Sequence, residues 1–172
     1  MKRSSFSPKQ IGIMAMFVSI GLILQYVESR ILISPVPGGK LGLANVVSIL
    51  NIFMFGSGNA MLVALLRAFL GALITGGVMA VPYSLAGTFF SMLVMCFLKK
   101  YFYPKVSMVG MSILAAAVHN LSQVCVAALI LWSPYIFSYL PLLLTVSAIS
   151  GTATGYAAQV FGNRILKYGD EK

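Results

Sequence analysis

The chain has 172 residues, of which 59% are hydrophobic and 9% charged, against roughly 25% charged in soluble domains, so it reads as an integral membrane protein. Its three acidic residues, Glu28, Asp170 and Glu171, exclude chemistry built on carboxylate clusters, such as polymerase-type metal sites and paired-carboxylate hydrolases. The net charge of +9 comes from basic residues at the ends of apolar runs, where they act as topology signals and lipid-phosphate contacts; no nucleic-acid partner is expected.

A membrane span needs about 20 apolar residues at 1.5 Å rise per residue. The breaks between apolar runs predict six spans, a compact all-α bundle forming one domain over residues 1–172. The first span, Gln10–Ser29, follows Met1-Lys2-Arg3. It lacks an Ala-x-Ala cleavage site and runs into polar Gln25 and Glu28, so it reads as a retained span and not a signal peptide. Gly12, Ala15 and Ser19 share one of its faces, a small-residue stripe suited to close packing inside the bundle or against a second membrane protein.

The loop that follows, Arg30 to Asn45, carries Pro35, Pro37 and the pair Gly38-Gly39 before Lys40. It reads either as a lid over an outward-facing pocket or as a plain connector. The second span, Leu41–Phe55, ends at the turn Gly56-Ser57-Gly58-Asn59, and Asn45, Ser48 and Asn51 recur along it every three residues. The third, Ala60–Ile74, closes at Thr75-Gly76-Gly77. At about 15 residues each, these two spans are short for a bilayer. They either cross with little tilt or form a partly re-entrant pair.

Arg67 lies in the middle of the third span, where a charge costs at least about 2.5 kcal/mol. Two readings stand: a contact for an anionic or polar substrate, or a structural arginine bonding backbone carbonyls freed near Gly56 or Thr75. The fourth span, Ala80–Leu98, ends in Lys99-Lys100, and the fifth, Val106–Trp132, is closed by Ser133-Pro134. Within the fifth, His119, Asn120 and Gln123 must face partners and not lipid. They either line a pocket for a small polar molecule or bond neighbouring helices. As the lone histidine, without a thiol or carboxylate beside it, His119 is not expected to be catalytic or to bind metal.

The last span, Tyr135–Ile165, carries Gly151, Gly155, Ala158 and Gly162 on one stripe. Cys96 and Cys125 lie inside apolar stretches and read as reduced packing residues. Lys2, Arg3, Lys9, Lys99, Lys100, Lys105, Arg164, Lys167 and Lys172 fall on one side of such a bundle, against Arg30 and Lys40 on the other. The bias places both termini in the cytoplasm.

The strings Pro37 to Asn45, Leu66-Arg67 with Gly71, and Ala117 to Gln123 resemble the Gx transporter family, also called heptaprenyl diphosphate synthase component I. The resemblance covers nearly the whole chain after the first ten residues, with Ser122 standing where the family has glycine. The family is similar to the S components of energy-coupling factor (ECF) transporters, six-helix proteins of the cell membrane that bind a vitamin or related molecule from outside. This implies a bacterial plasma-membrane protein taking up a vitamin-like, quinone-precursor or prenyl-type anionic molecule. Lys40, Asn45, Arg67, His119, Asn120 and Gln123 would form its pocket.

In S components an alanine-xxx-alanine face on the first helix docks onto a transmembrane coupling subunit driven by two ATPases. The matching positions here are Ala15 and Ser19, beside Gly12. The chain has no G-x-x-x-x-G-K-[ST] segment of its own, and no cofactor is expected. The family's other name implies a part in making prenyl diphosphates. That chemistry needs aspartate-rich motifs, and the sole aspartate here is Asp170, so the chain would at most be a non-catalytic membrane subunit.

Overall fold

A computed structural model describes residues 7–31 and 43–170, all helix and connecting turns, with no strand among them. Five long helices follow in order: α1 (Pro8–Ile31), α2 (Asn45–Gly76), α3 (Val81–Tyr101), α4 (Met108–Leu131) and α5 (Leu140–Asp170). Short 3-10 turns at Val78–Ala80 and Pro134–Tyr139 precede α3 and α5. Each long helix carries a stretch apolar and long enough to cross a membrane, so the chain is a multi-pass membrane protein.

The helices begin and end where local chemistry dictates. Gly77, at φ 70°, stops α2 in a conformation that disfavours a side chain. A proline in the first turn of α3 costs nothing, because the N–H it lacks has no partner there. Ser107 caps α4 by accepting from Gly110 N at 3.2 Å. Trp132, at φ 49°, ends that helix in the left-handed region.

The expected turn at Gly56 to Asn59 is a break at a single residue. Gly56 has φ 79° and ψ 170°, with helix on both sides. The two arms fold back on each other: Asn45 of the first arm and Arg67 of the second line the same cavity, whereas 22 residues of straight helix would hold them about 33 Å apart. The carbonyls freed at the break find donors. Asn59 Nδ2 donates to Phe55 O at 3.1 Å, and the Lys99 ammonium donates to Ile52 O. Tyr103 packs edge-on against Phe53 at 5.0 Å, and Lys99 Nζ lies 4.7 Å from the centre of the Phe53 ring.

α1 runs alongside the second arm in the same direction, with Gly21 opposite Arg67 and Gln25 opposite Gly71. Met14, Phe17 and Val18 of α1 pack with Val47, Leu50 and Val63 of α2. A second apolar cluster joins Ile49, Ile52, Ala60 and Ala64 to Met92, Met95, Met108 and Ala115.

The two small-residue stripes have different destinies. A Cβ on Gly151 would stand 2.7 Å from Ile113 Cα, and one on Gly155 2.5 Å from Val109 Cα. The α5 stripe therefore serves close packing against α4. On α1, Gly12, Ala15 and Ser19 are exposed, and nothing lies within 4 Å of a Cβ placed on Gly12. That stripe lies on the exposed face of α1.

Candidate functional site: a polar cavity among four helices

Helices α1 to α4 converge on a polar cavity. α1 contributes Gln25 and Glu28, the start of α2 Ala44 and Asn45, and its second arm Arg67. α3 contributes Ser84 and Thr88, and α4 contributes His119. Every one of these side chains is buried. The free volume is about 10 Å³, roughly the room one water needs.

Glycines make the arrangement possible. A Cβ on Gly21 would overlap the Arg67 Cδ, and a Cβ on Gly71 would overlap the Gln25 amide. Each helix thus offers one glycine to the other's long polar side chain. Arg67 Nη1 donates to Gln25 Oε1 at 3.4 Å. Because Oε1 faces the guanidinium, the Gln25 amide nitrogen points away from it. Glu28 Oε2 accepts from Leu43 N at 3.1 Å, tying α1 to the start of α2, and its charge acts on Arg67. Ser84 Oγ donates to Ala68 O at 3.1 Å.

On the opposite wall, the His119 ring lies 3.0 Å from where a Gly87 Cβ would sit. Three buried donors of the cavity residues have no hydrogen-bond acceptor among the described residues: Gln25 Nε2, Asn45 Nδ2 and Arg67 Nε. Buried donors left in this state cost about 1–3 kcal/mol each. A molecule carrying oxygen acceptors would recover that cost. The arginine and the glutamate bring opposite charges to one site.

Three of the residues expected to form the pocket meet here: Asn45, Arg67 and His119. Asn120 departs from the expectation. It faces α5, donating from Nδ2 to Ser147 Oγ at 2.7 Å and to Leu143 O at 3.4 Å. It makes the interhelical bond that was the other reading of this stretch, because it lies about 100° around the helix from His119. Gln123 is buried beside Gly87, outside the cavity lining. Lys40 and the greater part of the lid segment lie outside the described residues.

Below Asn45, Ser48 Oγ donates to Ala44 O at 3.5 Å and Asn51 Nδ2 donates to Val47 O at 2.9 Å, both within the first arm, while Asn51 Oδ1 has no donor among the described residues. The alternative for Arg67, a bond to carbonyls freed near Gly56 or Thr75, is not what the described residues show: its acceptor is a side chain. Sequence reasoning missed Gln25, Glu28, Ser84 and Thr88 as members of the site. The available signal was the spacing of Gln25 and Glu28, which places them on one face of an otherwise apolar helix. Among the described residues no three His, Cys, Asp or Glu side chains form a metal-binding group.

Fold and site together define a multi-pass helical membrane protein with a buried polar centre made by four of its helices. The family model described as heptaprenyl diphosphate synthase component I matches residues 17–161. The chain belongs to that family. No curated protein and no solved structure matches it.

Proposed function

We propose that the chain is the membrane-embedded substrate-binding component of an ECF-type transporter in a bacterial plasma membrane. The observation that carries this reading is the convergence of Gln25, Glu28, Asn45, Arg67, Ser84, Thr88 and His119, from four helices, on one buried cavity. Merely structural polar groups would pair with local neighbours away from the cavity, as Asn120 Nδ2 does with Ser147. In this reading the Gly56 reversal gives the chain six passes, and the excess of basic residues supports a cytoplasmic side for both termini.

In this reading Asn45, Arg67 and Gln25 supply donors to a small acceptor-bearing molecule, while His119, Ser84 and Thr88 orient it. The exposed face of Gly12, Ala15 and Ser19 serves docking onto a transmembrane coupling subunit with two ATPases. The chain catalyses no reaction of its own. A thermal-shift screen of the purified protein with vitamins, quinone precursors and prenyl phosphates tests the site. A ligand whose affinity is unchanged by Arg67→Ala and by His119→Ala overturns the assignment.

The family description favours a second reading, a non-catalytic membrane subunit associated with heptaprenyl diphosphate synthase. Purification in mild detergent separates the two. The transporter reading requires a coupling membrane subunit and ATPases to co-purify. The subunit reading requires a soluble, aspartate-rich synthase instead.

A further inference from the structure

A cavity of about 10 Å³ admits no organic molecule, so one wall must move before a ligand can reach the donors. The walls are not equally held. α3 packs on α4, α4 packs on α5, and α2 touches all three of them; among the described residues α1 packs on α2 alone.

Along α1 itself the attachment changes character. Its first half is anchored by Met14, Phe17 and Val18 against Val47, Leu50 and Val63, with Phe17 edge-on to Phe55 at 6.2 Å. Within a bilayer such interlocked side chains hold helices together by close van der Waals packing. Beyond Gly21 the apolar contribution thins to Leu22 and Leu24, which are only partly buried against that cluster, and the polar contacts among the described residues include two glycine cradles, the 3.4 Å bond from Arg67 to Gln25, and the bond from Leu43 N to Glu28. The opposite face, with Ile20, Ile23 and Val27, is exposed and meets no other helix.

The geometry points to the outer half of α1, from Gly21 to Glu28, as the door of the polar cavity, pivoting on the apolar inner half. Opening carries Gln25 and Glu28 away from Arg67, Asn45 and His119 and admits the ligand between α1 and the rest of the bundle. The glycine cradles form the seam, where the polar side chains nest against the facing helix. The inference takes from the proposed function that the cavity is the binding site, but the motion is measurable without any ligand.

The test uses the full chain in lipid nanodiscs, with Cys96 and Cys125 replaced by alanine and spin labels on introduced cysteines. One pair, Val27→Cys and Leu121→Cys, reports on the outer half of α1; a second, Ile11→Cys and Leu114→Cys, reports on the inner half. All four positions are exposed. The door predicts two distance populations for the outer pair and one for the inner pair. Gly71→Ala, which wedges the Gln25 amide, should raise the longer population roughly fivefold or more, the equivalent of about 1 kcal/mol.

A single narrow distance for the outer pair, in both the parent and Gly71→Ala, overturns the proposal. So does equal broadening of both pairs, or a longer population that Gly71→Ala leaves unchanged. A door that moves while Arg67→Ala leaves ligand affinity intact would sink the binding-site reading alone. A static α1 in a protein whose binding depends on Arg67 would sink the door alone.

Discussion

Arg67 of α2 reaches over Gly21 of α1 to donate to Gln25 Oε1 at 3.4 Å, so the most costly side chain in the membrane is housed by a glycine one turn before its acceptor. The guanidinium is kept from lipid by a neighbouring helix that lacks a side chain where the arginine stem must pass. Glu28, one turn further along α1, adds the opposite charge. The three positions form a unit that breaks in different ways when each is changed.

Gly21→Ala places a methyl group on the Arg67 stem and should destabilise the protein by about 1–3 kcal/mol, the usual cost of overpacking. Gly12→Ala, with nothing within 4 Å, should leave stability within about 0.5 kcal/mol of the parent. Thermal unfolding in detergent compares the two, and equal effects would contradict the cradle.

Arg67→Met removes the positive charge that acts on the buried Glu28 carboxylate and the donor to Gln25, and should cost about 1–3 kcal/mol. Adding Glu28→Gln should restore part of that loss, giving a coupling energy of about 0.5–3 kcal/mol in a double-mutant cycle. Strict additivity would show that the two charges do not act on each other.

Asn120→Ala removes bonds to Ser147 and Leu143 and should cost about 0.6 kcal/mol, at most about 1.7, as interhelical bonds in membranes do. Because Asn120 faces α5, ligand affinity should not change. A large affinity loss with intact folding would put Asn120 back in the site.

Gly56→Ala forces a side chain into a φ of 79° and should cost about 1–2 kcal/mol. Lys99→Met frees the Ile52 carbonyl and should cost about 1–3 kcal/mol, since that end of the first arm loses its donor. Both are read by chemical unfolding, and a neutral result for the pair would remove the hairpin from the stabilising features of the fold.

How far the site was legible varies residue by residue. Asn45, Arg67 and His119 announced themselves because a hydrophilic group within an apolar run carries a cost that lipid cannot repay. Ser84 and Thr88 did not, since a hydroxyl in a membrane helix can bond its own backbone without a tertiary partner. Asn120 and His119 are adjacent in sequence and looked equivalent. The rotation of α4 between α3 and α5 separates them, and rotation follows from packing.

The chain's hydropathy, its basic flanks and its glycine breaks are local properties, and they determined a helical membrane protein with reversals near Gly56 and Gly77. Which polar groups share a hollow is not local. The reversal at Gly56 brings Asn45 level with Arg67, and glycines on facing helices let Arg67 and Gln25 cross. The two small-residue stripes read alike as sequence; only the assembled bundle buried the one on α5 and left the one on α1 open, because α5 meets α4 along its stripe whereas α1 turns its own outward.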